Sequence, residues 1–162
     1  MAEPLIVKQG VRWIVVQLPG VTNSEQAKEL VGKTALLEFR MVDDTEKGRQ
    51  AINKILELGD PFGAGVVPST AAAKLVPAEL ALLKGKDGTP MLVKREVPLT
   101  GAQLETARIE TGGDYGQPVV AFKFKPEAAS KFTALTAANV GKNMAIVLDG
   151  SVYSAPVIKG RI

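Results

Sequence analysis

The hydrophobic pattern is densest at residues 143–158, NMAIVLDGSVYSAPVI. Met144 to Leu148 is a continuous apolar run, which suits a strand covered on both faces. Asp149-Gly150 follows at once. Asp-Gly between strand-like runs predicts a tight hairpin whose type I′ turn needs positive φ at both central residues. The return strand runs through Ser151, Val152, Tyr153, Ser154 and Ala155. Pro156 has no N–H for a ladder, so this strand is expected at a sheet edge or ending in a bulge.

The same reading places elements along the rest of the chain. Residues 4–9 and 11–18 form a hairpin around Gly10, with Ile14, Val16 and Leu18 on one face and Trp13, Val15 and Gln17 on the other. A short helix over 25–31, capped by Asn23 or Ser24, ends at Gly32. In the strand 35–41, Ala35, Leu37, Phe39 and Met41 share one face, and Glu38 and Arg40 take the other. Asp43, Asp44, Thr45 and Glu46 precede a helix reaching about Leu58, with Ile52, Ile55 and Leu56 as its apolar side. These carboxylates read as a cap and as anions at a helix N-terminus rather than a cation site.

Residues 59–68, rich in Gly and Pro, form a loop without a phosphate-loop signature. The Ala- and Leu-rich stretch 71–83 predicts one or two short helices broken at Pro77. A turn at 84–90 and a strand at 91–97 follow, then a turn or helical segment at Thr100-Gly101 and a strand around 107–110. Val120, Phe122 and Phe124 line one face of a strand at 119–124. Pro126 then opens a helix with a stripe of Ala128, Ala129, Phe132 and Leu135, ended by Asn139 and Gly141. This order predicts an α+β fold with helices packed on one side of antiparallel sheet.

Composition narrows the chemistry. The 162 residues suit one domain or two small ones. A hydrophobic share of 46% supports a packed core. The net charge of +3 arises from 20 basic and 17 acidic residues spread along the chain. No basic run or interleaved aromatic pattern supports nucleic-acid binding. With no cysteine and no histidine, cysteine nucleophiles, Ser-His-Asp triads, ordinary zinc sites and disulfides are excluded. No cofactor is indicated. No apolar run approaches the ~20 residues that span a bilayer, and Glu3, Pro4 and Lys8 interrupt any signal-peptide pattern.

Five stretches in order, AEPLIVKQG, RWIVVQLPGV, AKELVGKTALLEFR, LTGAQLETA and VGKNMAIVLDGSVYSAPVI, resemble the SecD family of membrane subunits that assist protein export. The resemblance covers both ends of the chain, and the stretch 43–97 is less typical. It implies part of the first extracytoplasmic domain, with an incomplete, ferredoxin-like base segment at 1–34 and a head subdomain at 35–162. A pivot between them is expected at Leu30, Gly32, Lys33 and Thr34. The family has a strand and a helix before AEPLI, further strand after Ile162, and transmembrane helices, so the chain resembles an excised fragment. Groups coupling export to the proton gradient belong to the membrane part.

The resemblance implies a non-enzymatic part that contacts unfolded preprotein and moves head against base. The implied partners of the full-length protein are SecF, the SecYEG translocon and the membrane. The implied location is the extracytoplasmic side of the plasma membrane, in the periplasm, or the lumen side of a thylakoid. Such contact calls for adaptable apolar surface and strand edges. Val152, Tyr153 and Pro156 are the candidates, with apolar residues within 59–83. The alternative class is a serine/lysine hydrolase drawing on Ser130, Ser151 or Ser154 with Lys131, Lys142 or Lys159.

Overall fold

The computed structural model describes residues 5–9, 13–17, 32–33, 36–63, 65, 67–85, 88–111 and 118–158. The predicted helix at 25–31, the turn at Gly10 and the loop at Gly112-Gly113 lie outside them. Three α-helices are described: α1 (Glu46–Glu57), α2 (Thr70–Leu75) and α3 (Pro126–Ala138). They accompany a five-stranded and a six-stranded sheet, so the fold is α+β.

The five-stranded sheet holds β1 (Leu5–Gln9), β2 (Trp13–Gln17), β7 (Leu104–Thr111), β8 (Pro118–Phe124) and β11 (Val157–Ile158), in the order β11-β1-β2-β8-β7. The hairpin expected of the N-terminal segment is thus laddered to strands from the far end of the chain. Five residue pairs, Trp13↔Lys123 to Gln17↔Val119, join β2 to β8, and β1 runs parallel to β11.

The six-stranded sheet comprises β3 (Leu37–Met41), β4 (Leu80–Gly85), β5 (Pro90–Lys94), β6 (Leu99–Thr100), β9 (Met144–Leu148) and β10 (Ser151–Ser154), in the order β5-β4-β10-β9-β3-β6. Its β5 edge curls back to the end of β3. Val42, just past β3, bridges Val93 of β5, and the Asp43 N–H donates to Leu92 O at 3.0 Å. The ring β3-β9-β10-β4-β5 therefore closes into a small barrel, and closure satisfies strand edges that would otherwise be bare.

Alternation along the strands sorts the apolar side chains into three cores. Val93, Ala145, Val147 and Val152 fill the barrel with Val42, Ala81, Leu83 and Met91 against them. On one outer face, Leu37, Phe39 and Met41 of β3 meet Val120, Phe122 and Phe124 of β8 and Phe132 of α3. On the other, Ala51, Ile55, Phe62 and Ala72 cover Leu80, Leu82 and Leu92. Met144 to Leu148 is buried throughout because β9 faces the core around Phe39 and Phe122 on one side and the barrel interior on the other.

Two expectations are corrected. Leu80 to Leu83 form a strand, not a helix: pairing with β5 and β10 overrides the helical preference of Ala and Leu. Of the two alternatives for the strand before Pro156, the edge is the wrong one, since β10 lies between β4 and β9. It does carry a register shift between Val152 and Ser154, and it stops before Pro156. The sheets are antiparallel as expected except at two pairs, where β10 runs parallel to β4 and β1 parallel to β11.

Candidate functional site

The barrel mouth is built by Arg40. Phe39 and Met41 point to the outer core, so Arg40 projects towards the inner face, where β3 changes neighbour from β6 to β5. Its guanidinium donates from Nε and Nη2 to Lys94 O, at 3.1 and 2.9 Å, and from Nη2 to Arg95 O at 3.2 Å. Nη1 lies 3.5 Å from Glu38 Oε1. The residue is buried, and its fork of donors caps carbonyls at the end of β5. The sequence pattern marked Arg40 as lying opposite the apolar face, but gave no sign that this face is also covered.

Beyond the mouth, the chain turns into α1. Thr45 is the N-cap, accepting from Gly48 N at 3.1 Å. The Asp43 carboxylate accepts from Thr45 N and Oγ1. Asp43 is therefore engaged in the cap, Asp44 faces Lys142 at 3.9 Å and Glu46 pairs with Arg49, and no group of three or more metal-ligating side chains occurs among the described residues.

The hairpin turn has φ of 51° at Asp149 and 82° at Gly150, the left-handed geometry that a type I′ turn requires. Neither residue touches a site. Val152 is 4% exposed and faces the barrel interior; Pro156 is buried and Tyr153 half-buried against the outer core. As folded, Val152 and Pro156 offer no binding surface. Gly32 and Lys33 are exposed, with Lys33 O accepting from Leu36 N at 2.9 Å; Leu30 and Thr34 lie outside the described residues.

The serine/lysine alternative finds no support. Ser154 is buried with an Oγ that has no hydrogen-bond partner, so no base is in place to activate it. Ser130 and Lys131 are both exposed on α3, and Lys159 lies outside the described residues.

Of the five exposed large apolar side chains among the described residues, Leu36 and Val140 stand apart in sequence and three lie in the stretch of α1 and the loop after it. Leu56 and Leu58 are about half exposed and Val67 is 74% exposed. Only Val67 belongs to the region singled out from the sequence; the alternation of α1 assigned Leu56 to a buried stripe. Lys84 stands over the Phe62 ring and donates to Gly65 O. At the other side of the stretch, the Glu79 carboxyl is held below its usual pKa by its own backbone N–H and by Lys47, whose Nζ lies 3.1 Å away. A shallow groove of about 280 Å³ between β6 and the first turn of α3 is lined by Leu99, Ala102, Gln103, Lys125, Ala128 and Lys131. No described helix is long and apolar enough to cross a membrane.

Comparison with known proteins gives a consistent result. Residues 75–162, more than half of the chain, match the model of the SecDF P1 head subdomain. Residues 1–44 match that of the N-terminal part of the P1 domain of protein translocase subunit SecDF. Protein translocase subunit SecD of Elusimicrobium minutum is 48% identical over the whole chain, which spans 34% of that relative. SecDF of Thermus thermophilus is 41% identical over the whole chain, which spans 20% of it. A crystal structure of SecDF in its super-membrane-facing form is 38% identical over 99% of this chain and 20% of its own, with a TM-score of 0.48. The chain thus spans about a third or less of these relatives, and it belongs to the SecD/SecDF family of protein translocase subunits, as a piece of the P1 domain.

Proposed function

We propose that this chain is an extracytoplasmic, non-catalytic part of a SecD-type subunit that holds emerging unfolded preprotein weakly and moves with it to promote export. The observation that carries this reading is the match of the whole chain to translocase subunits. Two features support it. Leu56, Leu58 and Val67 offer apolar side chains to solvent, and apolar contact tolerates varied sequences. The described residues hold no group of three or more metal-ligating side chains, and the buried Ser154 hydroxyl has no hydrogen-bond partner.

The expected motion of head against base needs a pivot that spares the β2–β8 ladder, since five residue pairs tie the two segments together. In this reading the five-stranded sheet moves as one body, and the angle changes outside it. SecF, the SecYEG translocon and the proton gradient enter through the full-length protein.

A transport aid has to release its cargo. Binding is therefore expected at micromolar Kd or weaker, corresponding to about 8 kcal/mol or less. The small, mixed net charge predicts little salt dependence. The test is titration of a permanently unfolded polypeptide against the chain at low and high salt, with the folded form of the same polypeptide as control. Preference for the unfolded form supports the reading. Equal affinity for both forms, or none for either at high concentration, rejects it.

A further inference from the structure

We propose that the barrel opens at the β3–β5 seam, with Arg40 as its clasp, and that the uncovered edge of β5 takes an extended apolar polypeptide segment as an added strand. The occupant rests on the function proposed above; the opening does not.

The seam is the weakest link in the ring. One bridge, Val42↔Val93, and the Asp43 N–H to Leu92 O bond join β3 to β5. By contrast, five pairs join β3 to β9 and five join β4 to β5. Further polar contacts across the seam come from the Arg40 guanidinium to the carbonyls of Lys94 and Arg95, beside the apolar packing of Val93 against Val42, Ala145 and Val147. Those polar groups exchange protein partners for water when the seam parts, so opening leaves no buried orphan there.

What lies beyond the seam can swing without unfolding. Helices α1 and α2, β4 and β5 own a separate core in which Ile55 is fully buried and Phe62, Leu80 and Leu82 nearly so. The other attachment of β4 is to β10, through only Ser151↔Lys84 and Val152↔Gly85, which places the hinge opposite the seam. Opening bares Val93, Ala145 and Val147, each without exposed surface in the closed barrel, beside a strand edge whose backbone groups can pair with any extended chain. Backbone pairing plus small apolar contacts reads no particular sequence, as an export cargo of varied sequence requires.

The absence of cysteine permits a direct test by thiol labelling. Val93 and Val120 are both fully buried, one inside the barrel and one in the core between the sheets. Val93→Cys is expected to react with an aromatic disulfide reagent at least tenfold faster than Val120→Cys, each rate compared with global unfolding of the same variant. Adding Arg40→Met should accelerate the first severalfold and leave the second at its global-unfolding rate. Ala145→Cys provides a second probe of the barrel interior should Val93→Cys fold poorly. Labelling of both interior positions only at the rate of global unfolding overturns the opening.

The occupant is tested by locking the seam with a Val42→Cys/Val93→Cys disulfide. Oxidised protein is expected to bind a permanently unfolded polypeptide at least tenfold more weakly than reduced protein. Equal binding in both states overturns the seam as docking site and leaves the proposed function standing. No binding in either the reduced variant or the unmodified chain overturns both.

Discussion

Phe39→Ala is the substitution with the widest expected consequence. Phe39 lies on β3 of the six-stranded sheet and is 2% exposed. Its ring meets Phe122 edge-on at 5.6 Å and Phe124 at 5.4 Å, both on β8 of the five-stranded sheet. Phe124 in turn stacks on Phe132 of α3 at 4.9 Å. Removing a buried phenylalanine costs about 3–5 kcal/mol through lost transfer energy and the cavity left behind. Each lost aromatic pair adds roughly 0.5–1.5 kcal/mol. The upper part of that range applies, because three layers border the gap and collapse of one opens space beside another. Set against a total of about 5–15 kcal/mol for a typical domain, the variant is expected to be marginal.

Phe39→Leu keeps most of the volume and should lose roughly 1–2 kcal/mol by the same cavity reasoning. Urea unfolding is the assay, followed by far-UV circular dichroism and by the fluorescence of Trp13, the single tryptophan, on β2. Because one core joins the sheets, both signals should shift together in both variants. A loss under ~1 kcal/mol for the alanine variant, or a Trp13 transition that stays in place while the dichroism moves, would refute the shared core.

Three further outcomes are expected. Gly150→Val should lower stability by more than about 1 kcal/mol, because φ is 82° and a Cβ meets nothing within 4 Å, so the cost is purely conformational; an unchanged melting temperature contradicts this. Gly48→Ala gains about 1 kcal/mol of helix propensity, yet its Cβ falls on the Asp43 carboxylate. It should be neutral or destabilising alone and stabilising in an Asp43→Ala background, and equal effects in both backgrounds contradict the clash. In an NMR pH titration, the Glu79 midpoint should lie below the ordinary glutamate value. A depressed folded-state pKa supports stability above the unfolded value, and that support is lost as pH falls through the folded one. Lys47→Met should raise the midpoint only in part, since the larger cause is the Glu79 backbone N–H; full reversion contradicts that order.

What the sequence reveals follows from where each residue's partners lie. The β8 alternation is legible because one face of Val120, Phe122 and Phe124 enters the outer core. The β9 run is legible as doubly covered because both its faces are buried. Helix α3 is legible from Pro126 and the 128–135 stripe, although Thr136, fully buried with its hydroxyl donating to Thr133 O, extends that stripe under a polar name. Strand β4 is hidden because its identity comes from pairing with β5 and, in parallel, with β10 some seventy residues later. That distant pairing also takes the edge away from Val152. Arg40 is hidden for a related reason: the Lys94 and Arg95 carbonyls it caps arrive through barrel closure, not through local sequence.

The most direct test of the central claim uses the intact subunit during export. A photo-crosslinking side chain placed at Val67, at 74% exposure, should capture a preprotein stalled during export and should capture nothing when export is not started. Crosslinks at Leu56 and Leu58 should share that dependence. Absence of preprotein crosslinks at all three positions, in a subunit that still supports export, would contradict the account.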